Sequence, residues 1–200
     1  IVKKKLIQAL CSQAKKLWHV SNLYEIPNQE RLAQRLANYS NLGRVFFCNS
    51  GLEANEAAVK IARRYHYNNG NINKNKIICA GNAFHGRSIA MLAATDNSEY
   101  RRGFGPMPAG FQHVAFNDFN ELKKIMNDEV AAIMIETVQG EGGVMASSKG
   151  YLQDVRRISE EYKSLLIMDE VQCGMGRTGK IFAYEHFEIQ PDIVVLAKAL

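Results

Sequence analysis

Apolar residues in the first forty positions recur at helical spacing. Val2, Leu6, Ala9, Leu10, Ala14, Leu17 and Trp18 predict a helix over 2–18, and Leu32, Leu36 and Tyr39 share a face of a second helix over 28–39. From about residue 41 the pattern changes to short apolar runs alternating with amphipathic stretches. VFFC at 45–48 precedes a helical stretch over 53–65, IIC at 77–79 one over 87–94, and VAF at 114–116 one over 121–126. AAIMI at 131–135 leads through a Gly-rich loop into a stretch over 151–162, and the runs 165–168 and 193–196 complete the series. Short apolar runs bounded by polar loops read as strands buried on both faces. Strands alternating with helices predict an α/β fold, a mainly parallel sheet flanked by helices. The expected organisation is a helical N-terminal lead-in over 1–40 and one α/β domain over 41–200, without internal repeats or linkers.

Composition changes this picture little but excludes much. The 200 residues are 46% hydrophobic and 22% charged, which excludes a disordered, collagen-like or low-complexity chain. No apolar run approaches the roughly 18 residues of a membrane span. The basic amphipathic start lacks the apolar core and cleavage signature of a secretory signal. The net charge of +5 comes from Lys3, Lys4 and Lys5 and from scattered pairs such as Arg63–Arg64 and Arg101–Arg102. These are solvated helix faces rather than a nucleic-acid stripe. Cys11, Cys48, Cys79 and Cys173 show no CxxC or zinc spacing, and Cys48 and Cys79 sit inside apolar runs as small hydrophobes. A reducing, cytoplasmic compartment is the default. The chain begins with Ile1 and stops at Leu200 just after an apolar run, so both ends are expected to be cuts in a longer protein.

In open α/β sheets, ligands sit beyond the carboxyl ends of the strands. VFFC is followed by Asn49, Ser50 and Gly51 opening a helix, and IIC by a loop with Phe84 and His85. AAIMI is followed by Glu136 and the QGEGG loop at 139–143, LLIM by Asp169, Glu170, Val171 and Gln172, and IVVLA by Lys198. A Ser-Gly turn at a helix start offers free N–H groups and a positive dipole end to phosphate, although taken alone a plain N-cap explains it better. Asp169 ends a buried strand and must be paired: as a cap, a metal ligand or the partner of a cationic ring nitrogen. Glu170 points the other way along an extended chain, and with no other ligand at metal spacing no metal is expected. Most lysines are surface residues. A lysine desolvated at the end of a buried strand, beside the strand ending in Asp169, is a nucleophile toward carbonyls. Gly174 to Gly179 match GxGxxG, but four residues separate Asp169 from Gly174, no strong helical stretch follows and Asp192 comes too early for a ribose acid. A loop is expected there, and a nicotinamide oxidoreductase is the minor alternative. Phosphate turn, aromatic plate, acid and lysine together suit pyridoxal phosphate: Phe84 on the ring face, the acid at the ring nitrogen, the lysine in the Schiff base.

These residues resemble a known family. NSGLEANEAAVKIAR (49–63), AFHGRSIAMLAAT (83–95), ETVQGEGG (136–143), LLIMDEVQCGMGRTGKIFAYEHF (165–187) and PDIVVLAKAL (191–200) are similar to the class III pyridoxal-phosphate aminotransferases, in order and over nearly the whole chain. LWHVSNLY (17–24) and FFCNSG (46–51) are most similar to the branch that acts on N-acetylornithine in arginine biosynthesis. The resemblance implies a fold type I large domain and a homodimer with active sites at the subunit interface. It implies ping-pong transfer from N-acetylornithine to 2-oxoglutarate. Enzymes for succinylornithine, ornithine and 4-aminobutyrate share the machinery.

By position, the resemblance implies that Gly51 and Leu52 give N–H groups to the cofactor phosphate with Ser50 nearby. Phe84 stacks on the ring, Asp169 pairs with its nitrogen, Val171 belongs to the same pocket and Gln172 lies near the phenolic oxygen. Lys198 forms the Schiff base and shuttles the substrate α-proton. Arg87 grips the α-carboxylate bidentately, a geometry guanidinium suits. Glu141 is the loop glutamate that helps distinguish substrates, and Tyr24 lines the site, of this or the neighbouring subunit. Leu52 stands where the family usually has Ala, Ser or Thr, Thr137 where Pro is frequent and Ser88 where Thr is. The family is about twice this long, so the 200-residue chain alone is expected to be inactive. Of the remaining residues, His85 reads as a hydrogen-bonding support, Trp18 and Tyr65 as core, and His19, His66, His113 and His186 as structural or exposed.

Overall fold

The computed structural model describes residues 3–21 and 23–200; Ile1 and Val2, counted above into the start of the first helix, lie outside them. The chain divides into two compact units, Ile1–Val45 and Phe46–Leu200. The first holds α1 (Lys4–Ala14) and α2 (Pro27–Ser40). α1 stops at Ala14, short of the expected end. Trp18 lies beyond it and donates its indole Nε1–H to Ala14 O at 2.6 Å. Satisfying the polar indole at that carbonyl leaves Trp18 88% exposed, so it is not the core residue expected. Pro27 opens α2 at a position where its fixed φ suits the helix and its missing N–H costs nothing.

The second unit runs α3 (Gly51–Asn68), β1 (Lys76–Ala80), α4 (Ile89–Ala94), α5 (Ser98–Arg101), β2 (Phe111–Val114), α6 (Phe119–Ile125) and β3 (Val130–Glu136). It continues with β4 (Val138–Gln139), β5 (Met145–Ala146), α7 (Lys149–Glu161), β6 (Leu165–Asp169), a 3₁₀ turn (Ala183–Phe187) and β7 (Ile193–Val195). Five strands form one parallel sheet in the order β2-β1-β3-β6-β7, and β4 and β5 pair as a small antiparallel hairpin. This is the α/β architecture expected. The run 45–48 is not a strand: none of the described strands pairs with it, and Phe46 and Cys48 are exposed. Four apolar residues satisfy a strand's pattern, but a strand exists only through its ladder. Cys48 is accordingly not the packed small hydrophobe expected. Over 174–179 the chain runs through successive turns, the loop expected there.

Alternation along the strands divides the core in two and aims the site. Ile77 and Cys79 of β1, Ala132 and Met134 of β3 and Ile167 of β6 pack with Ala58, Val59 and Ala62 of α3. Their neighbours Ile78 and Ala80, Ile133 and Ile135, and Leu166 and Met168 pack with Leu152, Val155 and Ile158 of α7. The period of two carries this parity to the strand ends. Glu136 and Asp169, paired in register, follow Met134 and Ile167 onto the α3 face. Thr137 and Glu170 turn to the opposite face. Tyr65 sits one position off the buried stripe Asn55, Ala58, Val59, Ala62 and His66, and it is half-exposed rather than core.

Candidate active site

α3 begins with its donors partly committed. Ser50 Oγ accepts from Glu53 N at 3.2 Å, and Glu53 Oε2 accepts from Asn49 N at 2.7 Å. Gly51 and Leu52 occupy the first two helical positions, whose amides have no acceptor within the helix and carry the positive end of its dipole. A Cβ at Gly51 would lie 2.9 Å from Val171 Cγ1 and 3.2 Å from Ala197 Cβ. Glycine thus lets the helix end approach the residues that follow Asp169 and precede Lys198. Leu52 turns its side chain onto Gly86, where φ is +134° and a Cβ would stand 2.5 Å from Leu52 Cδ1. The Leu52 side chain thus packs on this turn, while its N–H, at the second helical position, has no acceptor within the helix.

Asp169 is 3% exposed. Its Oδ2 accepts from Asn55 Nδ2 at 2.8 Å and from His85 Nδ1 at 2.8 Å, and its Oδ1 accepts from Val171 N at 3.0 Å. A carboxylate only accepts, so Nδ1 carries the hydrogen of His85, the supporting role expected of that histidine. Asn55 Nδ2 also donates to His85 O at 2.8 Å. Phe84 is half-buried, its N–H donates to Glu136 Oε1 at 3.0 Å, and its ring meets Tyr100 edge-on at 6.0 Å. Burial pushes the Glu136 carboxyl up to about 7, with neighbouring Asp169 adding to the rise; His85 and the amides of Phe84 and Gly140 oppose it. Glu170 faces away and accepts from Ala183 N and Tyr184 N, each at 2.7 Å, and from Thr137 Oγ1 at 3.1 Å. Threonine in place of proline at 137 therefore supplies a buried donor.

Gln172 packs against the QGEGG loop so closely that a Cβ on Gly140 would fall 2.1 Å from Gln172 Oε1. Glu141 beside it is exposed, as is Arg87 on the loop before α4. The next residue, Ser88, caps α4 and donates to Glu56 Oε1 of α3. Lys198 follows β7 in a left-handed conformation, φ 51°, and is exposed, not the desolvated amine expected; it lies beyond the last pairing of β7 with β6. Tyr24 belongs to the first unit and is 67% exposed. A cavity of about 510 Å³ opens at the ends of β1 and β2, lined by Asn82, Asp96, His113 and Glu121 among others, and does not include Asp169, Phe84 or Lys198. Among the described residues no group of three or more His, Cys, Asp and Glu could hold a metal ion, and no helix is long and apolar enough to cross a membrane.

A helix start that glycine lets approach closely, two amides without an acceptor in the helix, an aromatic side chain and a clamped carboxylate match the phosphate, ring face and ring nitrogen of a phosphorylated pyridine. Residues 2–200 match the sequence profile of the family "Aminotransferase class-III". The chain belongs to the class-III aminotransferases. This family depends on pyridoxal phosphate. The chain is 51% identical over 195 residues to the acetylornithine aminotransferase of Agrobacterium fabrum and 50% identical over 196 to that of Methanocaldococcus jannaschii, covering 98% of this chain and 49% of each relative. Among solved structures it resembles N-acetylornithine aminotransferase from Stenotrophomonas maltophilia (TM-score 0.84, 40% identity, 98% of this chain and 49% of that one). It also resembles ornithine aminotransferase from Toxoplasma gondii, described with partial occupancy of pyridoxal phosphate (TM-score 0.92, 33% identity, 97% and 47%). The chain spans about half the length of the curated relatives it matches.

Two polar residues beside Asp169 and Phe84 are not among the site residues that sequence reasoning proposes, although Glu136 is marked there as the polar end of AAIMI. Asn55 is a polar residue at the start of the buried stripe that Ala58, Val59 and Ala62 continue on α3, and that break in the apolar pattern is its signal. Glu136 shares the parity of Asp169 on the neighbouring strand, a signal visible only once the strands are paired.

Proposed function

We propose that the protein containing this chain is a pyridoxal-phosphate-dependent aminotransferase that moves the amino group of N-acetylornithine to 2-oxoglutarate in arginine biosynthesis, as a homodimer in the cytoplasm. The observation that carries it is the meeting at α3: Gly51 against Val171 and Ala197, and Asn55 against Asp169, one turn apart. The donor is supported by the names of the relatives at about 50% identity. The homodimer rests on the family resemblance, and the cytoplasm on four free cysteines, which suit a reducing compartment.

Bound here, pyridoxal phosphate supplies an aldehyde for the incoming amine and a ring that withdraws electrons from its α-carbon. The amides of Gly51 and Leu52 hold phosphate oxygens, and Phe84 lies along the ring face. Asp169 would accept a hydrogen bond from the protonated ring nitrogen and so keep the proton there, Gln172 would bond the phenolic oxygen, and Val171 would flank the ring. Lys198 Nζ would hold the proton it takes from the substrate α-carbon and return it to the former aldehyde carbon, on the far side of the linking nitrogen. Arg87 would bind the α-carboxylate as a fork, and Glu141 would meet the distal part of the donor. The full-length protein reconstituted with cofactor tests this: Lys198→Ala is expected to lose both the visible band of the lysine-bound cofactor and amino transfer, and retention of both overturns it. A donor panel with 2-oxoglutarate as acceptor tests the substrate, with N-acetylornithine expected to exceed ornithine, succinylornithine and 4-aminobutyrate. A relative from Buchnera aphidicola, 45% identical and named acetylornithine/succinyldiaminopimelate aminotransferase, favours a second acylated donor, so N-succinyl-diaminopimelate belongs in the panel.

A further inference from the structure

Asn55 is 2% exposed and shares its helix face with Ala58, Val59 and Ala62. Alanine at 55 would extend that stripe without burying an amide, so packing alone does not call for asparagine. Its Oδ1 is buried with no hydrogen-bond partner, so the residue does not complete its own bonding either. What it does is donate twice from one nitrogen: Nδ2 reaches His85 O and Asp169 Oδ2, each at 2.8 Å. Both partners can only accept, so the amide orientation is settled by chemistry. A carboxylate in its place would oppose Asp169, and a hydroxyl would bring one hydrogen for two acceptors.

We propose that Asn55 is a positioning residue that fixes the carboxylate of Asp169 and the backbone of the Phe84–His85 turn to the helix end facing the cofactor phosphate. The proposal rests on the pyridoxal-phosphate site described above. Asn55 stands one turn beyond Gly51, so its amide moves as a rigid part of that helix end. With Asn55 and His85 both on Oδ2, that oxygen's two lone pairs are used. Oδ1, bonded once by Val171 N, is the oxygen left to accept from the ring nitrogen. The titratable groups facing Asp169 are His85, Glu136 and Cys173, whose thiol reaches the Asp169 backbone oxygen; the hydrogen bond of Asn55 to the carboxylate runs to the same Oδ2 as that of His85. Without the Asn55 bond, Asp169 keeps His85 Nδ1 and Val171 N but loses its tie to α3, and its carboxylate is held less firmly in line with the ring nitrogen.

The test uses the full-length enzyme reconstituted with pyridoxal phosphate. Asn55→Leu removes both donors at similar volume. Asn55→Ala, which resembles its neighbours 58 and 62, carries the test if the leucine variant does not fold. A folded variant is expected to retain the bound cofactor's visible band. Its kcat is expected to fall roughly ten- to a hundredfold, the loss of a hydrogen bond to a charged group, with KM for the donor changed less than about threefold. The pH midpoint of the band's colour change is expected to rise by about one unit or more, because a ring nitrogen that holds its proton less firmly withdraws less charge from the lysine-linked nitrogen. A packing defect remote from the ring would leave that midpoint in place. A folded variant with wild-type midpoint and kcat overturns the role of Asn55 and leaves the cofactor site standing. A wild-type band that survives Lys198→Ala overturns the site and the role together.

Discussion

The helices α3 and α7, on opposite faces of the sheet, begin in the same way. Ser50 accepts from Glu53 N at 3.2 Å and Ser148 from Tyr151 N at 3.2 Å, and each helix has a glycine in its first turn. Their surroundings differ. A Cβ on Gly51 would crowd Val171 and Ala197, whereas one on Gly150 would meet nothing within 4 Å. The same contrast holds between the neighbouring acids Asp169 and Glu170, 3% and 1% exposed and directed to opposite faces. On the α3 face Asp169 takes side-chain donors from two other elements and one amide of its own loop. On the α7 face Glu170 is tied instead to two successive backbone amides of the 3₁₀ turn and a hydroxyl, all of them parts of the fold. Local code makes a helix start or a buried acid; what converges on it decides whether it can serve a ligand or only the fold.

The acids break this comparison most directly. Asp169→Ala in the full-length enzyme is expected to lower kcat about a thousandfold, because a charge placed for the reacting ring is removed, while the protein still folds. Glu170→Ala is expected to do the reverse. It strands Ala183 N, Tyr184 N and the Thr137 hydroxyl in the core and costs about 3–5 kcal/mol of stability, read by urea unfolding. The kcat of its folded fraction is expected to stay within about threefold. If both variants lose activity in proportion to stability, the two faces do not differ as described.

Glu136 sharpens the contrast from within the α3 face. Burial holds its carboxyl at about 7 against an ordinary 4.5, so between these values the folded state binds the proton that the unfolded chain has released. Its contribution to stability therefore falls as pH rises through this window and is fully lost above about 7, by at most about 3 kcal/mol. Glu136→Gln keeps an acceptor for Phe84 N and removes the titration. Relative to wild type it is expected to be near neutral at pH 5 and about 1–3 kcal/mol more stable at pH 8 in urea melts. A difference that does not grow with pH would mean that another group controls this window.

How much of this was legible follows from how local each signal is. Parallel strands read as apolar runs because both faces are buried, and Asp169 stood out as a carboxylate ending one of them. The run 45–48 misled because strand pairing is a relation between distant residues that a run of four cannot display. The two-residue strands β4 and β5 have no periodicity to read at all. The matching blocks marked the positions of Gly51, Phe84 and Lys198, but not the exposure of Lys198, which depends on where the chain goes after β7. Asn55 was hidden because its partner Asp169 lies 114 residues away, and Glu136, though legible as the polar end of AAIMI, showed its place beside Asp169 only through the pairing of their strands.

The smallest expected effect tests the helix starts themselves. Alanine is favoured over glycine in a helix by up to about 1 kcal/mol, so both Gly51→Ala and Gly150→Ala gain something from the backbone. At 150 nothing opposes the gain, and a stabilisation of up to about 1 kcal/mol is expected, with cofactor affinity unchanged. At 51 the new methyl would stand 2.9 and 3.0 Å from the two Val171 methyl carbons and 3.2 Å from Ala197 Cβ, too close for all three. Val171 cannot simply withdraw, because its N–H is bonded to Asp169 Oδ1. The helix end must back away instead, cancelling the backbone gain and moving the Gly51 and Leu52 amides off the phosphate. A net loss of about 1 kcal/mol and roughly tenfold weaker pyridoxal-phosphate binding are expected, measured by thermal melts and cofactor titration. Equal stabilisation at both glycines, with affinity unmoved at either, would show that the crowding at 51 is relieved without cost and that the two helix starts are alike after all.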